Sequence, residues 1–277
     1  VERSIYLGSL LMVAVVWQLV QLTATVGTLL DVLSLTVLAG LGWFLVFRCN
    51  KVERERMFVL IMLTLSTVIF WALFEQGAGS MTLYADRVTD KTLFGVSLTA
   101  AQFGAANSFF IFSLAPLFAM LWIRLGQRGW EPSTPVKFSL GIAQAGLGFG
   151  ALVYGAQFPD QAGVVSAWWL IVAYLLHTTG ELCLSPVGLS AVTKLAVPSV
   201  VGVMMGTWFL ASAYSSYVAA QIATIAARPS DESTLDLSGA LTGYTELFSQ
   251  LLYIGLAGGV VLLMLSPLLK RMMRGVR

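Results

Sequence analysis

The sequence predicts an all-α, polytopic membrane protein. Of its 277 residues, 57% are hydrophobic and only 11% are charged, against an ordinary charged share of about 25%. The charges collect in short clusters between apolar stretches, and a stretch of about 20 apolar residues is what crosses a hydrocarbon core. Most of these stretches are apolar all round, whereas a helix on a soluble core keeps a polar face at helical period.

Eight apolar segments run in order: 4–26, 32–48, 57–76, 103–123, 137–157, 164–185, 200–226 and 244–268. Roughly six to eight of them are long enough to span. The first opens beside Glu2 and lacks the basic start and small-residue cleavage site of a signal peptide, so it reads as a span and the chain as a fragment or one half of something longer. The second is the shortest and ends at Arg48. The third, rich in Phe and Trp, ends at Glu75 before Gly77-Ala-Gly-Ser80, and 78–102 reads as a polar loop. The fourth carries Asn107 and a bend at Pro116, and only the short loop 158–163 separates the fifth from the sixth. In the sixth, Pro186 follows Ser185 and weakens the helix by removing a backbone donor, with Gly180 and Gly188 on either side. The seventh carries Trp208, Tyr214 and Gln221, and 227–243 is a second long loop before the last segment and its basic tail.

The cations orient these spans. If Arg48, Lys51, Arg54 and Arg56 are cytoplasmic and each later segment crosses once, then Arg124, Arg128, Lys137, Lys194, Lys270, Arg271, Arg274 and Arg277 fall on that same side. The other side holds Arg87, Lys91 and Arg228 diluted by Asp86, Asp90, Asp160, Asp231, Glu232 and Asp236. That is the positive-inside asymmetry, and it puts both termini in the cytoplasm.

Two carboxylates lie inside apolar segments, where a charge at mid-bilayer costs at least about 2.5–3.5 kcal/mol. Glu75 reads either as an interfacial acid at a helix end or as a gate acid that pairs with a cation on another helix. Glu181 has His177 four residues before it and Ser185 four after, a spacing that puts the three on one helix face. That stripe reads as the wall of a polar cavity or as a helix–helix hydrogen bond. Asn107 is equally suited to a ligand's backbone amide and to a neighbouring helix, and Trp208 to a pocket wall and to simple packing. Trp122, Trp168 and Trp169, near segment ends, read as interfacial residues.

Other chemistries have no residues to carry them. One His and the two cysteines Cys49 and Cys183 make neither a metal cluster nor a disulfide framework. No phosphate-cradling Gly-x-x-x-x-Gly-Lys-Ser/Thr loop occurs, and no basic stripe calls for nucleic acid. No cofactor is expected.

Phe70-Trp-Ala-Leu-Phe-Glu-Gln76, Ala115-Pro116 with Trp122, Pro132-Ser-Thr-Pro-Val-Lys137, Gly180-Glu-Leu-Cys-Leu-Ser-Pro-Val-Gly-Leu-Ser190 and Met204-Met-Gly-Thr-Trp-Phe-Leu-Ala211 carry a family resemblance. From about Met57 onward the chain resembles the C-terminal part of a bacterial proton-dependent oligopeptide transporter, a branch of the major facilitator superfamily. The resemblance implies a six-helix C-terminal bundle over 51–277, preceded by a linker hairpin over 1–50. It implies proton-coupled import of di- and tripeptides across the inner membrane by alternating access, and no enzymatic activity. Glu181 matches the acid that holds the peptide amino terminus, and Asn107 an amide on the peptide backbone. Ser185 and Trp208 match pocket positions, and Glu75 the acid of proton coupling and the outer gate. Ser108 departs from the family, where many members have Pro. The first-helix Glu-x-x-Glu-Arg signature is absent from these residues, so the resemblance also implies an N-terminal six-helix bundle as partner, together with peptide, protons and the lipid bilayer. Two other readings stay open: a major-facilitator transporter of another solute, such as nitrate or a metabolite, and an integral membrane enzyme that uses the two acids.

Overall fold

A computed structural model describes residues 2–227 and 237–276. The sequence expectations for Arg228, Asp231, Glu232, Asp236 and Arg277 lie outside the described residues. The chain divides into two compact units, Val1–Cys49 and Asn50–Arg277. In the first, α1 (Glu2–Gln21) and α2 (Thr23–Phe47) meet at Leu22, whose backbone leaves the helical region.

The second unit begins where Asn50 caps α3 (Lys51–Phe74). Its side chain accepts from the Glu53 N–H, and the Glu53 carboxylate accepts from the Asn50 N–H in return. That reciprocal pair satisfies two of the donors a helix start leaves open. A 3₁₀ turn at Glu75–Gly77 interrupts the helix, which resumes as α4 (Ser80–Val88). The expected loop 78–102 is therefore partly helical, because Met81, Tyr84, Ala85 and Val88 form an i, i+3, i+4, i+7 stripe that is buried. After α4 the chain makes β1 (Thr89–Asp90), β2 (Thr92–Leu93) and β3 (Val96–Ser97). β2 and β3 pair antiparallel around Phe94 and Gly95, both at positive φ. β1 pairs parallel with β4 (Val165–Ser166), tying this segment to the start of a later helix.

Four long helices complete the unit after α5 (Ala105–Gln127): α6 (Thr134–Gly155), α7 (Ala167–Leu195), α8 (Val201–Ala227) and α9 (Leu237–Met272). Ser133 and Pro135 start α6, Pro sitting where a helix needs no donor; the Ser166 side chain caps α7. Pro116 and Pro186 lie inside α5 and α7 without ending them. The helix weakened at Pro186 continues to Leu195, and in spanning helices neighbouring groups can satisfy the backbone acceptor that a proline frees.

Among the described residues, six helical stretches are long and apolar enough to cross a membrane. They are Thr23–Phe47, Lys51–Val88, Ala100–Gln127, Thr134–Gly155, Ala167–Leu195 and Leu237–Met272. The expected spans 4–26 and 200–226 are helical as α1 and α8 but fall outside that set. α8 has the length, but Thr207, Ser212, Ser215, Ser216 and Gln221 dilute its apolar character. Such helices and the family relationship described below make this a multi-pass membrane protein.

The core of the second unit is centred on α6, which packs against both α7 and α9. Backbones touch at two glycine pairs. A Cβ on Gly180 would lie 2.7 Å from the Gly141 carbonyl oxygen, and a Cβ on Gly255 would lie 2.5 Å from Gly146 Cα. In lipid, helices gain by such close van der Waals approach, since hydrophobicity alone does not drive them together. Ser139 adds a hydrogen bond from its hydroxyl to the Gly259 carbonyl at 2.7 Å. By contrast α5 buries none of its residues; it sits at the side of the unit against α7, with Phe109, Phe112 and Leu117 exposed.

Candidate functional site

Glu181 is the fifteenth of the 29 residues of α7, at the middle of a helix about 43 Å long. Gly180 faces α6, and about 100° per residue turns Glu181 away from that contact. The acid is half-buried and meets α5: Asn107 donates from Nδ2 to Glu181 Oε2 at 3.3 Å. The same amide donates to Thr178 Oγ1 at 3.0 Å, and Thr178 sends its own proton to the Tyr174 carbonyl at 2.7 Å. Both Asn107 N–H groups are thus committed. Its Oδ1 and Glu181 Oε1 have no hydrogen-bond partner among the described residues, so the site offers acceptors.

The stripe expected on this face changes membership. His177 turns into the core, where Nε2 donates to the Ala145 carbonyl at 2.9 Å and the rings of Phe74 and Phe149 pack on it. The polar face of α7 instead runs through Tyr174, Thr178, Glu181 and Ser185, at i, i+4, i+7 and i+11. Ser185 is half-buried, with no side-chain hydrogen bond to His177 among the described residues. Trp208 of α8 covers the end of this face. Its ring fills the space above Gly188, where a Cβ would come 2.1 Å from Trp208 Cη2, and it meets Phe138 edge-on at 6.3 Å. Trp208 is buried, about two turns from Glu181.

The other end of the face reaches the 3₁₀ turn that holds Glu75. Tyr174 donates its hydroxyl proton to the Gly77 carbonyl at 3.1 Å. Glu75 is half-buried and accepts from Ser216 of α8 at 3.4 Å. Its neighbour Gln76 is fully buried and escaped sequence reasoning. Gln76 Nε2 donates to the carbonyls of Ala72 at 3.2 Å and Ala219 at 3.0 Å, while Oε1 accepts from Ser80 at 2.8 Å. One side chain thereby closes the gap between α3 and α4 and holds α8 against it. A polar amide beside an apolar run was the available signal, overshadowed by the charge next to it. Tyr174 and Thr178 were legible from the same helical period that picked out Ser185.

Ion pairs among the described residues lie elsewhere: Lys91 with Asp86, Lys137 with Glu131 and Arg274 with Glu55. No Lys or Arg among them pairs with Glu75 or Glu181, and no group of acids, His and Cys there is arranged to hold a metal ion. Two carboxylates in apolar helical stretches thus lie beside polar groups with no paired cation among the described residues. Such acids mark substrate, ion or proton paths.

The POT family model (PTR2) matches residues 15–240. An uncharacterized transporter of Bacillus subtilis (strain 168), YclF, is 37% identical over 263 residues, covering 91% of this chain and 49% of the relative. Dipeptide and tripeptide permease B of Aliivibrio fischeri (strain MJ11) is 33% identical over 244 residues, covering 87% of this chain and 49% of that protein. A crystal structure of a POT family transporter in complex with a thioalcohol-conjugated peptide superposes with a TM-score of 0.74 at 26% identity, covering 97% of this chain and 54% of that one. The chain spans about half the length of the relatives it matches.

Proposed function

The chain belongs to the POT family, and on that premise we propose that it is the C-terminal bundle of a proton-coupled symporter that imports di- and tripeptides. Residues 1–50 would be the linker hairpin and 51–277 the bundle. Relatives about twice as long support an N-terminal six-helix bundle as its working partner. The exposed apolar faces of α5 leave room for that bundle or for lipid.

The observation that carries this reading is Glu181: a carboxylate at the centre of a spanning helix, positioned by Asn107 and lacking any cation among the described residues. A peptide ammonium there offsets the desolvation of both charges, as a paired buried charge must. Asn107 Oδ1 would take a backbone N–H of the same peptide, with Ser185 and Trp208 bordering the side-chain pocket. Every peptide presents these termini and amides, so a roomy pocket serves many side chains. Glu75, placed against α8 by Ser216, would carry the proton and pair with a cation of the N-terminal bundle when ionised. Protonation removes that pair and releases the outer end, so proton entry biases the bundle inward. Each proton moving down the potential supplies about 2.3 kcal/mol per 100 mV.

An enzyme using Ser185 would need a base beside it; the chain's one imidazole, His177, gives Nε2 to the Ala145 carbonyl and makes no hydrogen bond to Ser185 among the described residues. The orientation with both termini in the cytoplasm of the inner membrane rests on the cation clusters alone.

The complete transporter in liposomes, given labelled dialanine, tests the assignment. Uptake should be faster with an acidic exterior. Glu181→Gln should abolish uptake and competition by dialanine, and Glu75→Gln should leave peptide exchange while removing the acceleration by the proton gradient. Uptake unchanged by Glu181→Gln would overturn the anchor. Competition by nitrate or free amino acids, with none by dipeptides, would overturn the substrate class.

A further inference from the structure

We infer that Tyr174 is a positioning residue that links the turn of Glu75 to the site of Glu181, so that the charge on one acid is felt at the other. The inference rests on the roles proposed above for the two acids. Tyr174 lies two turns before Glu181 on the same face of α7 and is only 4% exposed. Its two ends serve different places. At the backbone end, its carbonyl accepts the Thr178 hydroxyl proton at 2.7 Å. Thr178 Oγ1 accepts from Asn107 at 3.0 Å, and the same amide holds Glu181 at 3.3 Å. At the ring end, the Tyr174 hydroxyl donates to the Gly77 carbonyl at 3.1 Å. Gly77 ends the 3₁₀ turn that Glu75 begins.

A buried hydroxyl needs an acceptor, but the Gly77 carbonyl needs no second donor, since it already accepts from Thr82 at 2.8 Å. The ring is also fitted to the turn. A Cβ on Gly77 would lie 3.3 Å from Tyr174 Cε1, so the bare Cα lets the ring close upon it. A buried ring fixed at its hydroxyl has little room to turn, and a close-packed interior passes displacement on. Movement of the α7 turn that carries Tyr174 therefore reaches Gly77. From there it reaches Glu75 within the same three residues. The Ala78 N–H holds the Glu75 carbonyl at 3.2 Å, and the carboxylate accepts from Ser216 at 3.4 Å. That last bond is long, and a small shift of the turn breaks it. A peptide ammonium at Glu181 draws the carboxylate from Asn107, and the displacement runs back through Thr178 and Tyr174. A chain of contacts becomes a coupling only through a measured interaction between its ends.

A mutant cycle on the complete transporter in detergent tests this, with dialanine affinity read by titration calorimetry at one fixed pH. Glu75→Gln stands for the protonated acid. In a symporter the proton favours the peptide, so Glu75→Gln should tighten dialanine binding by about fivefold or more. In the Tyr174→Phe background, which loses only the hydroxyl, that factor should fall to about one. Thr82→Val removes the other side-chain donor to the same carbonyl, one that does not come from α7, and should leave the factor as it was. Gly77→Ala pushes the ring away and should lower the factor; it replaces Tyr174→Phe if that variant does not melt cooperatively. A tyrosine that only supports the fold would weaken binding alike with and without Glu75→Gln, and the factor would stand. An equal factor with and without the hydroxyl, an equal loss in Thr82→Val, or no effect of Glu75→Gln on affinity would overturn the link while dialanine binding stands. No binding of dialanine by the unaltered transporter would overturn the peptide reading itself, and the link with it.

Discussion

Gly180→Ala puts the packing argument under direct strain. The new Cβ would sit 2.7 Å from the Gly141 carbonyl oxygen, where ordinary contact begins at 3.4 Å. The obstacle is backbone on both sides, so no rotamer change relieves it, and α6 and α7 must separate by about 0.7 Å. Overpacking of this kind typically costs about 1–3 kcal/mol. At roughly 2–4 °C per kcal/mol for a protein of this size, the melting temperature should fall by roughly 2–12 °C. Gly141→Ala meets the reciprocal contact at 2.8 Å and should behave alike. The double variant should lose less than the two losses added together, because the first separation makes room for the second methyl. Gly243→Ala is the control. A Cβ there meets nothing within 4 Å inside α9, so the gain in helix propensity of about 0.5–1 kcal/mol applies instead. Intrinsic-fluorescence melts of all four variants in one detergent read the outcome. An unchanged Gly180→Ala, or a Gly243→Ala that falls as far, would refute the close-approach reading.

Substitutions at two further positions separate local roles. Gln76→Leu keeps the side-chain volume but leaves the Ser80 hydroxyl and the Ala219 carbonyl without their buried partner. It should lower stability by about 1–3 kcal/mol per stranded group, measured by thermal melts, whereas Gln76→Glu should do less damage to the Ser80 bond than to the one with Ala219. Pro186→Ala returns a backbone donor to an uninterrupted helix. Melting should rise or hold, and a clear fall would show that the proline shapes α7 in a way its continuity conceals.

The spans, their approximate order and the two acids were legible in the sequence because lipid imposes a one-dimensional rule: about 20 apolar residues cross, and an acid among them stands out. Element ends were less legible. α4 reads as polar loop because only one face of it is apolar, and that face is buried by contacts from helices distant in sequence. α7 continues through Pro186 for a related reason: whether a helix bends at a missing donor depends on what packs around it.

What the sequence by itself determined was a set of candidate site residues: Glu75, Glu181, Asn107, Ser185 and Trp208 all carry their types and spacing in plain view. Only the tertiary structure decided which of them meet. His177 and Thr178 are adjacent and both polar, yet one turns to the Ala145 carbonyl and the other to Asn107. Sequence neighbours on a helix are about 100° apart, and which face receives a partner is set by the helix across from it. Glu181 owes its position to Gly180, whose lack of a side chain draws α7 onto α6 and leaves the next residue pointing to the open side.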